Sequence, residues 1–172
     1  MPSETSIDLR AIDLRANGHL NLNFEQYLGL WAMEETRFLR LYQQVAQMDL
    51  VAHVRDGQRL SARLPTPSSQ IQSIKAPGSG REMAIAVIDI EGTLTKRGSS
   101  LSDGGAMILI RQAVRRAAAD PAVDGLLLRV DSPGGTVAGT ADLAREVAAA
   151  DRKKPVVSFI EDLGASAAYW IA

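Results

Sequence analysis

Residues 125–135 read Gly125-Leu126-Leu127-Leu128-Arg129-Val130-Asp131-Ser132-Pro133-Gly134-Gly135, an apolar run that passes directly into a Pro-Gly-Gly turn. Large aliphatic residues in so short a run, closed by turn residues, predict a buried strand. Two similar runs flank it, Ala84-Ile85-Ala86-Val87-Ile88-Asp89-Ile90 before and Pro155-Val156-Val157-Ser158-Phe159-Ile160 after. Between the first two, Met107, Ile110, Val114 and Ala117 mark one face of a helix, with Arg111, Arg115 and Arg116 largely on the other and Asp120-Pro121 ending it. Residues 138–150, carrying Leu143 and Val147, predict a second helix, and a third begins from Gly164. Alternating strands and helices imply an α/β fold with parallel pairing and right-handed crossovers. Sites in such sheets lie beyond the carboxyl ends of the strands, which is where Ser132-Pro133-Gly134-Gly135 and Gly164-Ala165-Ser166 both fall.

The N-terminal third is less regular. Ile7-Asp8-Leu9-Arg10-Ala11 is repeated as Ile12-Asp13-Leu14-Arg15-Ala16, but two five-residue copies cannot bury a stacked core, so we read an exposed arm. From Asn23, a suitable N-cap, to about Asp49, the residues Tyr27, Trp31, Phe38, Leu41, Val45 and Met48 recur at helical intervals. They predict an amphipathic helix, with a break near Glu34-Glu35, whose aromatic stripe packs on the main domain or on a neighbouring subunit. Pro65, Pro67, Pro77, Gly78 and Gly80 then indicate a linker. The resulting division is an arm and helical extension over 1–63, a linker over 64–82 and an α/β domain over 83–172.

Composition removes several function classes. A net charge of −1 and a pI near 6.1 give no electrostatic attraction to nucleic acid or to an anionic membrane. With no Cys, disulfides, thiolate zinc sites and cysteine nucleophiles are excluded. His19 and His53 both lie far upstream of Ser166, so neither a Ser-His-Asp triad nor a histidine metal site is expected, and no cofactor is implied. The start of the chain lacks the basic and apolar segments of a secretory signal, and no run approaches the ~20 apolar residues of a membrane span. A cytoplasmic or virion location is the expectation.

The chemistry is concentrated in two short segments. A serine hydroxyl needs a base and donors for the developing oxyanion before it attacks a carbonyl at neutral pH. The donors are readable as the backbone N–H groups of Gly134, Gly135 and Ala167 beside Ser166. A base is not. Lys75 falls in the linker and Lys153 and Lys154 at a helix-to-strand turn; Lys96, in the loop after the first strand, is the one lysine whose position could reach the crevice. Asp131 is expected to bond local N–H groups, and Glu161 and Asp162 to shape the turn before Ser166.

Four segments, in order, carry a resemblance: Val87-Ile88-Asp89-Ile90-Glu91-Gly92-Thr93-Leu94, then Leu126 to Gly135, then Lys154-Pro155-Val156-Val157, then Gly164-Ala165-Ser166-Ala167-Ala168-Tyr169-Trp170. The set resembles the signal peptide peptidase A family of serine peptidases, and its phage branch of head-protein or minor-capsid peptidases in particular; Ser-Pro-Gly-Gly alone would also fit the related Clp protease. The resemblance covers roughly 84–172. It implies a Clp protease/crotonase-like parallel sheet built of βαβ units, Ser166 as nucleophile, the Gly134–Gly135 loop as oxyanion hole, and a buried Lys as base in a Ser-Lys dyad. That Lys is expected beyond Ala172, together with the C-terminal part of the fold. Where the family often has Gly-Gly after the serine, this chain has Ala167-Ala168.

The expectation is therefore the N-terminal portion of a serine endopeptidase that processes a phage scaffold or capsid protein through an acyl-enzyme and works as a homo-oligomer. Two readings compete with it: a non-catalytic capsid or assembly protein on the same scaffold, and a crotonase-like acyl-CoA enzyme.

Overall fold

The computed structural model describes residues 27–49, 52, 69–75, 80–98 and 104–172. The pentapeptide repeat, Asn23 and both histidines lie outside the described residues, as do 76–79 of the Pro/Gly-rich stretch. The elements are β1 (Trp31–Met33), α1 (Glu35–Gln47), β2 (Ser69–Lys75), β3 (Glu82–Glu91), α2 (Met107–Ala119), β4 (Gly125–Ser132), β5 (Gly134–Thr136), α3 (Thr140–Asp151), β6 (Val156–Gly164) and α4 (Ala167–Ile171).

A four-stranded sheet in the order β2-β3-β4-β6 forms the centre, and β3–β4 and β4–β6 are parallel, as strand–helix alternation requires. The α/β expectation holds. The edge strand β2 runs antiparallel to β3, from Ser69 opposite Ile88 to Lys75 opposite Glu82. Sequence reading assigns these residues to a linker; they form a strand because β3 presents a free ladder edge. Their Ile71 and Ile74 remain exposed, so the pairing rests on main-chain bonds and leaves no buried apolar signal to read.

Helices cover one face of this sheet. Ala86, Ile88 and Ile90 of β3 and Leu126, Leu128 and Val130 of β4 alternate onto that face and pack with Met107, Ile110 and Val114 of α2, Leu143 and Val147 of α3, and Ala168 and Ile171 of α4. The opposite face carries Arg129, whose Nε lies 2.7 Å from Asp89 and 3.7 Å from Glu161, and it leaves Val157 and Phe159 of β6 exposed. Helix α2 ends at Asp120, and the Lys154 ammonium donates to the carbonyls of Ala117 and Asp120, satisfying the groups a helix leaves open at its C-terminus. Lys154, at the helix-to-strand turn, thus caps α2. Arg115 of α2 grips Glu146 of α3 through both carboxylate oxygens.

The N-terminal segment breaks at Glu34-Glu35, as expected, but what precedes the break is not a helix. Trp31–Met33 is a strand, and the helix begins only at Glu35. Glu34 is its N-cap: the carboxylate accepts from Thr36 N at 2.9 Å and Arg37 N at 2.8 Å. None of α1's described residues is buried. Tyr27, Trp31 and Phe38 do cluster, with ring centroids 5.7 Å apart in each successive pair, so the aromatic periodicity reflects a real contact made across a strand rather than along one helix.

Two outcomes follow from these contacts. Leu128→Ala, at a site with no exposure, should lower stability by about 2–5 kcal/mol in urea unfolding, whereas Arg115→Ala, on a largely exposed side chain, should leave the unfolding midpoint almost unchanged. Hydrogen bonds from the Thr36 and then the Arg37 amides hold the Glu34 carboxyl below its ordinary value of 4.5. Because the folded-state value is the lower one, the capping contribution is intact above 4.5 and lost as pH falls through the depressed value. Titration of the Glu34 carboxyl by NMR should show a midpoint below 4.5, with the Thr36 and Arg37 amides losing exchange protection over the same range.

Candidate active site

Strand β4 ends in Ser132 and β6 ends in Gly164, and these two residues are register partners. Between Val130↔Ile160 and Ser132↔Gly164, β6 carries the extra residues of a bulge, which bends it across the end of β4. The Ala165 N–H then donates to Ser132 O at 3.1 Å, bringing the two sequence motifs together. The Ser132 side chain is itself buried: its hydroxyl donates to Gly92 O at 2.6 Å and accepts from the Gly134 N–H at 3.2 Å. It ties the ends of β3 and β4 to the Pro-Gly-Gly turn.

Ser166 sits at φ 54° and ψ −117°, and among the described residues it is the one non-glycine residue with positive φ. These angles fall outside the regions open to L-residues and cost on the order of 1–3 kcal/mol. The turn is held because both its neighbours are fixed. Ala165 is bonded to β4, Ala167 and Ala168 have no exposure, and Trp170 N–H returns to Ser166 O at 3.0 Å. Ser166 is exposed, and its hydroxyl has no hydrogen-bond partner among the described residues. A serine on a strained strand-to-helix turn, hydroxyl outward, with the following N–H beside it, is the geometry that nucleophilic acyl transfer uses.

Gly134 and Gly135 are where backbones close on this turn. A methyl group on Gly134 would lie 2.3 Å from Ala32 O and 3.0 Å from both Ala165 O and Ala167 N; one on Gly135 would lie 1.7 Å from Leu94 O. The first glycine is also at φ 96°. On one side β5 exchanges bonds with Leu94, whose N–H donates to Gly134 O at 2.9 Å and whose carbonyl accepts from Thr136 N at 2.8 Å. On its other side β5 pairs antiparallel with β1.

The remaining candidates separate from this point. The Lys96 stem packs on Gly139 and lines a small cavity with Met107, Ile108, Arg111 and Asp142, a different set of neighbours from those of Ser166. Lys75 is on β2, opposite Glu82, and Lys154 caps α2. Asp131 supplies its carbonyl to Gly92 N at 2.9 Å, and Glu161 faces Arg129. Among the described residues there is no group of His, Cys, Asp or Glu that could hold a metal, and no helix is long and apolar enough to cross a membrane. Sequence reasoning missed Ser132 as the internal tie and missed Ala32 and Leu94 as backbone neighbours. Only the glycines that admit those two carbonyls signal them.

The comparisons with known proteins bear on what a serine so placed could do. No family model matches the chain. It is 40% identical over 91 residues to capsid assembly protease C of Escherichia phage lambda, covering 51% of this chain and 21% of that protein. It is 32% identical over 133 residues to head-tail preconnector protein GP5 of Enterobacteria phage P21, covering 65% and 26%. With Protease 4 of Haemophilus influenzae it shares 33% over 89 residues, covering 51% and 14%. The chain spans about a quarter or less of the length of these relatives. Its resemblance is to the S49-type peptidases, with phage proteins named for capsid assembly and for the head-tail preconnector among the similar sequences.

The strain at Ser166 has a measurable consequence. Ser166→Gly relieves it at a smaller entropic cost, whereas Ser166→Ala retains it. In urea unfolding the Gly variant should be more stable than the Ala variant by about 1 kcal/mol; equal stabilities would show that the turn is unstrained.

Proposed function

We propose that this chain carries the nucleophile and oxyanion donors of a serine endopeptidase that hydrolyses peptide bonds of a phage head protein through an acyl-enzyme on Ser166. The observation that carries the reading is the strained, outward-facing Ser166, pinned beside Gly134 by the Ala165–Ser132 hydrogen bond. The lambda and P21 relatives, named for capsid assembly and the head-tail preconnector, supply the head-protein context. The parallel β3–β4–β6 core, with both motifs at its carboxyl end, supports a Clp protease/crotonase-like fold.

In this reading the Ser166 oxygen attacks the substrate carbonyl, and the N–H groups of Gly135 and Ala167 receive the oxyanion. Gly134 contributes differently from the sequence expectation: its N–H is committed to Ser132, and its lack of a side chain lets the backbones meet. A Ser-Lys dyad requires a lysine at the Ser166 hydroxyl. Lys75 lies on the edge strand β2, Lys153 is in the exposed turn after α3, Lys154 caps α2 and Lys96 packs between α2 and α3, so the base is assigned to polypeptide outside the described residues, on this subunit or a second copy. Exposed Tyr169 and Trp170 just after Ser166, and exposed Val157 and Phe159 on β6, support an assembly that covers them.

A fluorophosphonate that reacts with activated serines tests this. Mass spectrometry should find one adduct, on Ser166, absent from Ser166→Ala; no adduct in either the isolated or the assembled protein would overturn the reading.

A further inference from the structure

The edge of β5 next to Ser166 is already occupied by the chain's own β1. Trp31 faces Thr136, Ala32 faces Gly135 and Met33 faces Gly134. Two flanking bonds fix the ladder, Val137 N to Leu30 O at 2.9 Å and Glu34 N to Pro133 O at 2.8 Å. Antiparallel alternation makes Ala32 and Gly135, lying between them, the pair that exchanges both main-chain bonds. The Gly135 N–H therefore points at the Ala32 carbonyl. That carbonyl and the Ala167 N–H both border Gly134, at 2.3 Å and 3.0 Å from the position a β-carbon would take. The Ala32 carbonyl thus stands at the donors assigned above to a scissile carbonyl, in a segment that is extended and bound through its backbone, as a peptide adding to a sheet edge is.

We propose that Leu30–Glu34 is an internal ligand of this site, a strap holding the β5 edge that an extended polypeptide substrate must take, so that substrate enters by displacing it. This rests on the reading of Ser166 as nucleophile. The strap is lightly fastened on its other side. Its three strand residues are only partly buried, and the helix behind it buries none of its residues. Besides the ladder, its ties are the Tyr27–Trp31–Phe38 ring contacts, the Trp31 Nε1 bond to Tyr27 O at 3.3 Å and the Glu34 cap. Segments with few buried apolar contacts open at low free-energy cost. A substrate making the same ladder bonds replaces what it displaces, and closure of the strap lowers apparent affinity in proportion to the open fraction.

The test is the rate at which a fluorophosphonate labels Ser166 in the full protein. Trp31→Ala removes the ring anchor, and Ala32→Pro removes the N–H that faces Gly135. Each should raise the rate by about tenfold, the change produced by freeing a site closed nine-tenths of the time. A synthetic peptide spanning residues 28–35 should slow labelling of the Trp31→Ala variant back toward wild type. Rates within twofold of wild type in both variants, with circular dichroism unchanged, would overturn the strap while leaving Ser166 as nucleophile. Absence of label in every form would overturn the nucleophile reading and this inference with it. Wild-type protein gives a second measure should a variant fail to fold: hydrogen exchange at Trp31–Glu34 should rise when a peptidyl phosphonate occupies Ser166, and unchanged exchange would overturn the proposal.

Discussion

Backbone packed on backbone at Gly134 and Gly135 is the constraint from which the rest of the site follows. Leu94, Ala32, Ala165 and Ala167 all approach this pair closely enough that a single methyl group would collide with one or more of them. Three of these four approaches also carry a hydrogen bond: Leu94 exchanges bonds with Gly134 and Thr136, Ala32 is paired with Gly135, and Ala165 is held on Ser132. Buried main-chain groups must be paired, and here they pair with one another because no side chains intervene. The buried hydroxyl of Ser132 closes the arrangement, bridging Gly92 O and Gly134 N where the peptide groups alone do not meet.

That junction can hold a strained residue because the scaffold around it is strong. A strain of on the order of 1–3 kcal/mol at Ser166 is comparable to the contribution of one buried aliphatic side chain. Ile88, Ile90, Leu126, Leu128 and Val130 are all fully or almost fully buried against α2, α3 and α4. The strain is therefore maintained by packing remote from the hydroxyl, through Ala167, Ala168 and Ile171 of the short α4, whose burial fixes where the turn must end.

The central α/β unit is legible in the sequence because its signals are hydrophobic. β3, β4, α2 and α3 bury regular apolar faces, and periodicity reports burial. The elements that escaped are those made by main-chain bonds without buried apolar side chains. β2 has exposed isoleucines in a Pro-flanked stretch, β5 is Gly-Gly-Thr, and β1 is three residues inside an aromatic pattern that also suits a helix. Ser166, Gly134 and Gly135 were readable as a group because small residues at two strand ends have few other uses. Their partners were not: Ala32 comes from about a hundred positions upstream, and nothing in an Ala between Trp and Met marks it as the residue facing Gly135.

The same asymmetry bears on how the site is reached. The sheet's interior strands are fixed by side-chain burial on the helical face, so opening them exposes apolar surface at about 25 cal/mol per Å². β1 has no comparable hold, since its residues are part-exposed and its ladder bonds are of a kind that any extended polypeptide can reproduce. Exchanging one such ladder for another leaves the hydrogen-bond inventory nearly unchanged, and the difference between strap and substrate then rests on side chains. For the strap that means chiefly Trp31, which packs at a tilt against both Tyr27 and Phe38. A competing peptide must outweigh one aromatic cluster, not a core, and the advantage of the strap is that it is tethered: covalent attachment gives it a high effective concentration at β5. The glycines that let Ala32 close on β5 consequently set how tightly the strap competes for that edge.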